Sequence, residues 1–372
     1  MSDRHSPTGR RRNEGTMIKK EKQSPAPEFH CACGPGDLSA TTNQQFHIVR
    51  IPDGPLTHDC FKLAVAAVPE LKDGEVLLKT RFMSVDAANR AWMQGATYRD
   101  AVGAGTVMAA RGVGEVVESR HPDFQAGDLA FGDCGWQEYA ALPGSSLMKQ
   151  SHVEPLSRLL SVYGVSGLTA YFGLTEVGQA RPGETVVISA AAGAVGTFAG
   201  QIAKILGCRV VGIAGGDEKC RWLTDELGYN AAVNYKAGPV SDSLKAACPD
   251  GIDVYFDNVG GEILEVALSQ MKMHGRVACC GVVSTYDTAA QQTHGPRGVP
   301  FLFVVKRLTM RGFIVSDFFG RRDEALAQLR SWVEAGRLKV IEDIVEGFDN
   351  LPDALIGLLH GDNRGKRMVR IG

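Results

Sequence analysis

The chain has 372 residues, more than one hydrophobic core usually organises, so two domains are expected. Hydrophobic residues make up 44% and charged residues 22%, the balance of a globular protein with a large core. A net charge of −2 argues against the basic surface that nucleic acid or an anionic membrane would demand, and no apolar run approaches the length of a membrane span.

The chain opens with "MSDRHSPTGRRRNEGTMIKKEKQSPAPEFHCACGPGDLSATT", which is polar and rich in Pro, Gly, Arg and Lys. It lacks the apolar middle of a secretion signal, and residues 1–43 read as a disordered extension. Its Arg10-Arg11-Arg12 run reads as solvated charge. Cys31 and Cys33 stand too close for the usual zinc pair. The nine cysteines are odd in number and irregularly spaced, which fits reduced thiols in a cytoplasmic protein.

From about residue 45 to 160 the sequence is strand-like and turn-rich. "GEVLLKTRFMSVD" (74–86), "GVGEVVES" (112–119) and "FQAGDLAFG" (124–132) predict a mostly antiparallel β unit. From about 164 the rhythm changes. "ETVVISA" (184–190) predicts a buried strand, "GTFAGQIAKILG" (196–207) a helix closed by Gly207, and "CRVVGIAG" (208–215) a second strand. A helix over 217–228, N-capped by Asp217, and a strand over 231–235 follow. Then come a strand over 251–260, a helix over 261–275, a strand over 276–281 and a sixth strand over 308–315. This alternation predicts βαβ units and a doubly wound parallel sheet. A helix over 321–336, "LKVIEDIVEGF", "LPDALIGLLHG" and "KRMVRI" end the chain, and these last pieces are expected to pair back onto the first domain.

The turn "AAGAVG" (191–196) fits A-x-G-x-x-G between a strand and a helix. Gly193 allows a backbone to approach a pyrophosphate, Gly196 allows close helix–strand packing, and the amides of the new helix point at the anion. Ala191 replaces the first glycine of the dinucleotide fingerprint. An NAD site usually ends its second strand with an acid on the ribose hydroxyls, but Gly215 and Gly216 stand there instead, with Lys219 and Arg221 following. An open pocket beside cations suits a ribose phosphate, and so NADPH.

The order of parts resembles the zinc-free medium-chain dehydrogenase/reductases, in the branch of the prostaglandin reductases, leukotriene hydroxydehydrogenase, 2-alkenal reductases and curcumin reductase. The resemblance lies in "GVSGLTAYFGL" (164–174), "RPGETVVISAAAGAVG" (181–196), "GCRVVGIAGGDEKC" (207–220), "FDNVGGEILE" (256–265), "RVACCGVVSTYD" (276–287), "MRGFIVSDF" (310–318) and "GDNRGKRMV" (361–369). It covers about residues 45–372. The Gly-His-Glu segment of zinc alcohol dehydrogenases would fall in "MAARGVGEVVE" (108–118), where Arg111 and Gly112 stand, and the cysteine-rich lobe is missing. No metal is therefore expected. The tyrosine that some members carry shortly before the "GFIV" strand is also missing from "FLFVVKRLTM" (301–310).

The resemblance implies a Rossmann NADP-binding domain at 164–317 inserted in a mostly-β GroES-like catalytic domain formed by 44–163 and 318–372. It implies that Gly193, Ala194, Val195 and Gly196 take the pyrophosphate, and that Lys219 and Tyr235 line the ribose-phosphate pocket. Asn258 contacts the cofactor. Cys280, Gly281, Val282, Val283, Ser284, Thr285 and Tyr286 lie along it, Phe313, Ile314 and Val315 sit near the nicotinamide, and Asn363 reaches in from the tail. The implied reaction is NADPH-dependent reduction of the carbon–carbon double bond of α,β-unsaturated aldehydes and ketones. An enolate formed without a metal needs hydrogen-bond donors, and Tyr286 and Tyr98 are the expected catalytic phenols. A quinone reductase and a non-enzymatic NADPH-binding protein remain open alternatives. The sixth strand, apolar and without a successor, is expected at the sheet edge and at a homodimer contact.

Overall fold

The computed structural model describes residues 42–288 and 299–372. The basic extension with Cys31 and Cys33, and most of the "THGPRGVP" loop, lie outside the described residues.

The first half supplies strands β1 (Thr42–Ile48), β2 (Phe61–Ala67) and β3 (Glu75–Ser84), helix α1 (Ala87–Gln94), and strands β4 (Gly112–Ser119), β5 (Leu129–Gly132), β6 (Tyr139–Pro143) and β7 (Met148–Gln150). Helix α2 (Val165–Phe172) runs into a π-helical turn, Gly173–Val177, and then the alternation begins. It comprises β8 (Thr185–Ile188), α3 (Ala194–Ile205), β9 (Arg209–Ala214), α4 (Asp217–Asp225), β10 (Ala231–Asn234), α5 (Val240–Ala247), β11 (Ile252–Asp257), α6 (Gly261–Gln270), β12 (Met271–Cys279), α7 (Val299–Lys306) and β13 (Thr309–Gly312). Helix α8 (Arg322–Glu334), β14 (Glu342–Glu346), α9 (Leu351–His360) and β15 (Lys366–Arg370) complete the chain.

Among the described residues, one six-stranded sheet runs β10-β9-β8-β11-β12-β13, and all its pairings are parallel. The order reverses between β8 and β11, the switch point outside which such sheets bind ligands. β8 is buried at every position, and Val186, Val187 and Ile188 face the layers on either side. The other large sheet runs β14-β15-β3-β4-β5-β7, with β6 on β3. Its β15 pairs antiparallel with β3 through Met368–Ser84, Val369–Met83 and Arg370–Phe82. The end of the chain thus returns to the first sheet. Both sheets lie in one compact unit, Ser39–Gly372.

Three predicted details differ. The helix expected over 261–275 ends at Gln270, because buried Met271 pairs with Ile252 and starts β12 in extended geometry. The strand expected over 308–315 stops at Gly312, because the carboxylate of Asp317 accepts from the Ile314 N–H (3.3 Å) and opens a 3₁₀ turn at Val315. Asp217 is not the N-cap of α4. Gly216 takes that place at φ 92°, a conformation that costs glycine little, while Asp217 accepts from Asn234 Nδ2 (2.7 Å).

Candidate active site

The turn after β8 is built for close approach. Ala190 sits at φ 47°, which reverses the chain sharply enough for α3 to start at Ala194. A Cβ on Gly196 would lie 2.3 Å from the Ala190 carbonyl oxygen, so the helix can pack this closely on its strand only with glycine. A Cβ on Gly193 would meet only that same oxygen, at 3.2 Å, so space lies in front of it. The Thr197 N–H makes the first intrahelical bond, to Gly193 O (3.0 Å), which leaves the amides of Ala194, Val195 and Gly196 ahead of the helix ladder. Gly193, Ala194 and Val195 are half-buried and Gly196 is buried.

The tail closes one side of this turn. Gly193 bridges to Gly365, whose N–H donates to Ala192 O (2.9 Å). Asn363 lies in the same loop, buried, with Nδ2 donating to Gly365 O (2.9 Å). Lys219 reaches over from α4. Its ammonium donates to the Gly361 carbonyl and to Asn363 O (2.7 Å). Burial, then the charge of Arg364, pushes the Lys219 pKa down.

At the end of β9, a Cβ on Gly215 would meet Lys236 Cε and the Tyr235 hydroxyl, both at 3.0 Å. The place where an acid would hold a bare ribose is therefore occupied by a phenol and an ammonium. Lys219, Lys236 and Arg364 gather here, and Arg364 also pairs with Glu218 and covers the Trp222 ring at 5.7 Å. Sequence reasoning missed Lys236 and Arg364. The signal was a basic residue directly after Tyr235 and another directly after Asn363. These cations and the open glycine turn fit a phosphorylated dinucleotide.

Across the switch point, Asp257 organises the second wall. Its Oδ1 accepts from Ser189 Oγ (3.1 Å), Tyr255 Oη (3.1 Å) and the N–H groups of Val259 (3.1 Å) and Gly260 (2.9 Å). Asn258 is buried, with Nδ2 on Ser189 O (2.7 Å). The 280–286 segment folds over this wall: Cys280 N–H donates to Asp257 O (2.8 Å), Val283 N–H to Asn258 O (3.2 Å), and Ser284 Oγ to Val259 O (2.6 Å). Burial, with Asp257 adding repulsion, pushes the Cys279 and Cys280 thiols up to about 12, so both are neutral at physiological pH. Val282 and Val283 are exposed, whereas Gly281 and Thr285 are half-buried or nearly so. Phe313 meets Phe256 edge-on at 6.2 Å, Ile314 is exposed, and Val315 is buried in the core. Of the predicted 313–315 wall, Val315 therefore belongs to the interior packing.

A cavity of about 100 Å³ lies where α1, β4, α2 and β15 converge, lined by Asp86, Trp92, Tyr98, Arg111, Ser166 and Lys366 among others. Lys366, 1% exposed, donates to Asp86 Oδ1 (2.6 Å) and Val85 O (3.0 Å). Burial alone would push the Asp86 carboxyl up, but Lys366 and the Ser84 hydroxyl hold it below the usual carboxylate range. Tyr98 is half-exposed, yet the cavity wall pushes its phenol up while Arg111 pulls it down, and Tyr286 is near enough to raise it. Burial also raises Tyr286, whose oxygen accepts from the Val282 N–H (3.3 Å). Both predicted phenols are therefore protonated at neutral pH; Tyr98 lines the cavity, and the Tyr286 hydroxyl lies against the Gly281–Val282 backbone. Among the described residues, no group of three His, Cys, Asp or Glu side chains is placed to hold a metal. The Arg111 and Lys366 cations beside Asp86 do not suit one.

One further contact locks the Tyr286 segment to the first sheet's lobe. Arg90 of α1 is 0% exposed, and its Nε donates to Asp287 Oδ1 (3.1 Å). Its Nη2 donates to Gly54 O (2.9 Å) and Pro52 O (3.2 Å), and the Leu56 N–H also donates to Asp287 Oδ1 (2.8 Å).

Two family models match the chain, one described as the N-terminal domain of oxidoreductase over residues 44–150 and one as zinc-binding dehydrogenase over 194–333. The NADPH-dependent curcumin reductase of Escherichia coli is 39% identical over 335 residues, 88% of this chain and 97% of that protein. Prostaglandin reductase 1 of Bos taurus is 42% identical over 330 residues, 87% of this chain and 96% of that protein. The chain belongs to the medium-chain dehydrogenase/reductases. Within that superfamily it falls in the branch of the prostaglandin and curcumin reductases. The crystal structure of CurA in complex with NADPH from Vibrio vulnificus matches this medium-chain reductase with a TM-score of 0.84 at 37% identity, covering 88% of this chain and 99% of that one.

Proposed function

We propose that this medium-chain reductase uses NADPH to reduce the carbon–carbon double bond of α,β-unsaturated aldehydes and ketones, without a metal. One observation carries the reading: the strand-to-helix turn at the switch point is open in front of Gly193, and Lys219, Lys236 and Arg364 gather beyond the end of β9, as a phosphorylated dinucleotide requires. Gly193 to Gly196 would hold the pyrophosphate, and Lys219, Tyr235 and Lys236 the ribose phosphate. Asn258, Asn363, the 280–286 segment, Phe313 and Ile314 would border the rest. When bound, NADPH supplies the hydride. Tyr286 and Tyr98 keep their protons at neutral pH, so each can donate a hydrogen bond to a carbonyl oxygen or a proton to carbon.

We further read 164–317 as the cofactor domain, and 44–163 with 318–372 as the catalytic domain. The protein is read as a cytoplasmic homodimer joined along β13. Among the described residues, no helix is long and apolar enough to cross a membrane.

The test is Tyr286→Phe and Tyr98→Phe, assayed on 3-nonen-2-one with NADPH. Loss of an oxyanion donor or of the proton donor slows turnover by about 100-fold or more. Wild-type turnover in both variants rejects the tyrosine assignment. A wild type that reduces quinones and spares every enone rejects the double-bond reading.

A further inference from the structure

We infer that Arg111 is a catalytic residue, the charged donor that meets the oxygen of the reacting carbonyl as it becomes an enolate. The inference deepens the enone-reductase reading and rests on it. Arg111 enters the cavity from the first residues before β4, half-buried, and its carbonyl oxygen is fixed by the Ser84 N–H (2.8 Å). Among the described residues its guanidinium makes no hydrogen bond and no ion pair within 4.0 Å. The one carboxylate beside it, Asp86, is already held by Lys366 at 2.6 Å and by Ser84. The surrounding wall is largely apolar, formed by Trp92, Phe131, Leu160 and Val165. An unpaired guanidinium in such a wall is costly until an anion arrives.

Two more donors point to the same ligand chemistry. The Trp92 indole N–H is buried and has no hydrogen-bond partner among the described residues, although it lies toward the Tyr98 hydroxyl without reaching hydrogen-bond geometry. Tyr98 is a protonated phenol within the field of Arg111. The cavity is thus lined by several donors while its acceptor, Asp86, is spent. With Lys366 and Asp86 cancelling, the cavity carries about one net positive charge, which complements a single oxyanion.

The step balances as follows. The β-carbon takes hydride from NADPH, the C=C π pair moves to form a C=C bond to the carbonyl carbon, and the C=O π pair becomes a lone pair on oxygen. Arg111 receives that negative oxygen through charge-assisted hydrogen bonds, stronger than neutral phenols provide. When the C=O bond re-forms, the α-carbon takes a proton from Tyr286, which regains one from water. The division of labour gives the charge to Arg111 and the proton to Tyr286.

The experiment has two arms. In the first, Arg111→Ala and Arg111→Gln are assayed on 3-nonen-2-one, with methylguanidinium added to Arg111→Ala. We expect kcat to fall by about 100-fold or more with a smaller change in KM, and methylguanidinium to restore turnover saturably where sodium chloride at equal ionic strength does not. In the second, 4-nitrophenol binds to the cofactor-free protein, and its absorbance reports the phenolate fraction. The wild type should bind the phenolate about 10-fold or more tightly than Arg111→Gln does. Wild-type turnover in Arg111→Ala overturns the inference. So does phenolate binding that Arg111→Gln leaves unchanged, and this arm decides if rescue is absent. If the wild type spares every enone yet prefers the phenolate, the oxyanion site stands and the enone reading alone falls.

Discussion

At the scale of single residues, the two glycines of the turn after β8 divide its work. Gly196 is a packing residue, since its Cβ would overlap Ala190 O at 2.3 Å and the Ala191 backbone at 2.7 Å. Gly193 has room for a methyl group at little more than a tight 3.2 Å contact. Gly196→Ala is therefore expected to cost about 1–3 kcal/mol or more in a urea melt, as overpacking does. Gly193→Ala should melt like the wild type and instead weaken NADPH binding by crowding the approach. Equal melts for the two variants would remove this division. Lys219 has a double role that only the structure reveals, because its ammonium also ties the Gly361 and Asn363 carbonyls. Lys219→Ala should raise KM for NADPH by about 10-fold or more, the loss of a charged contact, with little effect on NADH. An equal loss with both cofactors would reduce Lys219 to a brace for the tail loop.

At the scale of elements, the Tyr286 segment is held by a clamp between α1 and the chain after β12. Arg90 carries a fully buried charge whose acid is Asp287, and its Nη1 has no partner among the described residues. Removing Asp287 leaves that charge uncompensated, so Asp287→Ala should cost about 3–5 kcal/mol in thermal or urea unfolding and lower kcat with it. Asp287→Asn keeps an oxygen for Arg90 and for the Leu56 N–H, and should recover much of both. A stability loss without any change in kcat would show that the clamp does not position Tyr286. The parallel alternation was legible in the sequence because buried strands of Val and Ile recur between helical periods closed by glycines, whereas the strand order β10-β9-β8-β11-β12-β13 is seen only in the structure. The ends of α6 and β13 were not, because they are set by contacts distant in sequence: Met271 against Ile252, and a local carboxylate cap on Ile314. Helices α1, α5 and α7 escaped notice because they are short, each eight residues. The glycine turn between β8 and α3 could be read from spacing. Arg90–Asp287 and Lys366–Asp86 could not, since each pair spans nearly 200 residues or more of chain.

At the scale of the whole molecule, the parallel sheet ends on β13, whose outer edge has no strand neighbour among the described residues. All four residues of β13 are exposed, and Met310 is among them. Helix α7, which packs against β12, adds Phe301 at 69% and Val304 at 74% exposed. An edge strand with open N–H and C=O groups beside large exposed apolar side chains is the surface that soluble proteins normally cover. A second copy covers it at least cost when a two-fold axis lies across the edge, because β13 then pairs with its own image and both sheets become continuous. Light scattering at micromolar concentration should therefore give a mass near twice the 39.9 kDa chain. A double substitution, Phe301→Glu with Val304→Lys, should shift that mass toward the monomer and leave the circular dichroism spectrum unchanged. A monomer in the wild type would reject the interface. A dimer untouched by the double substitution would move it away from α7 and β13.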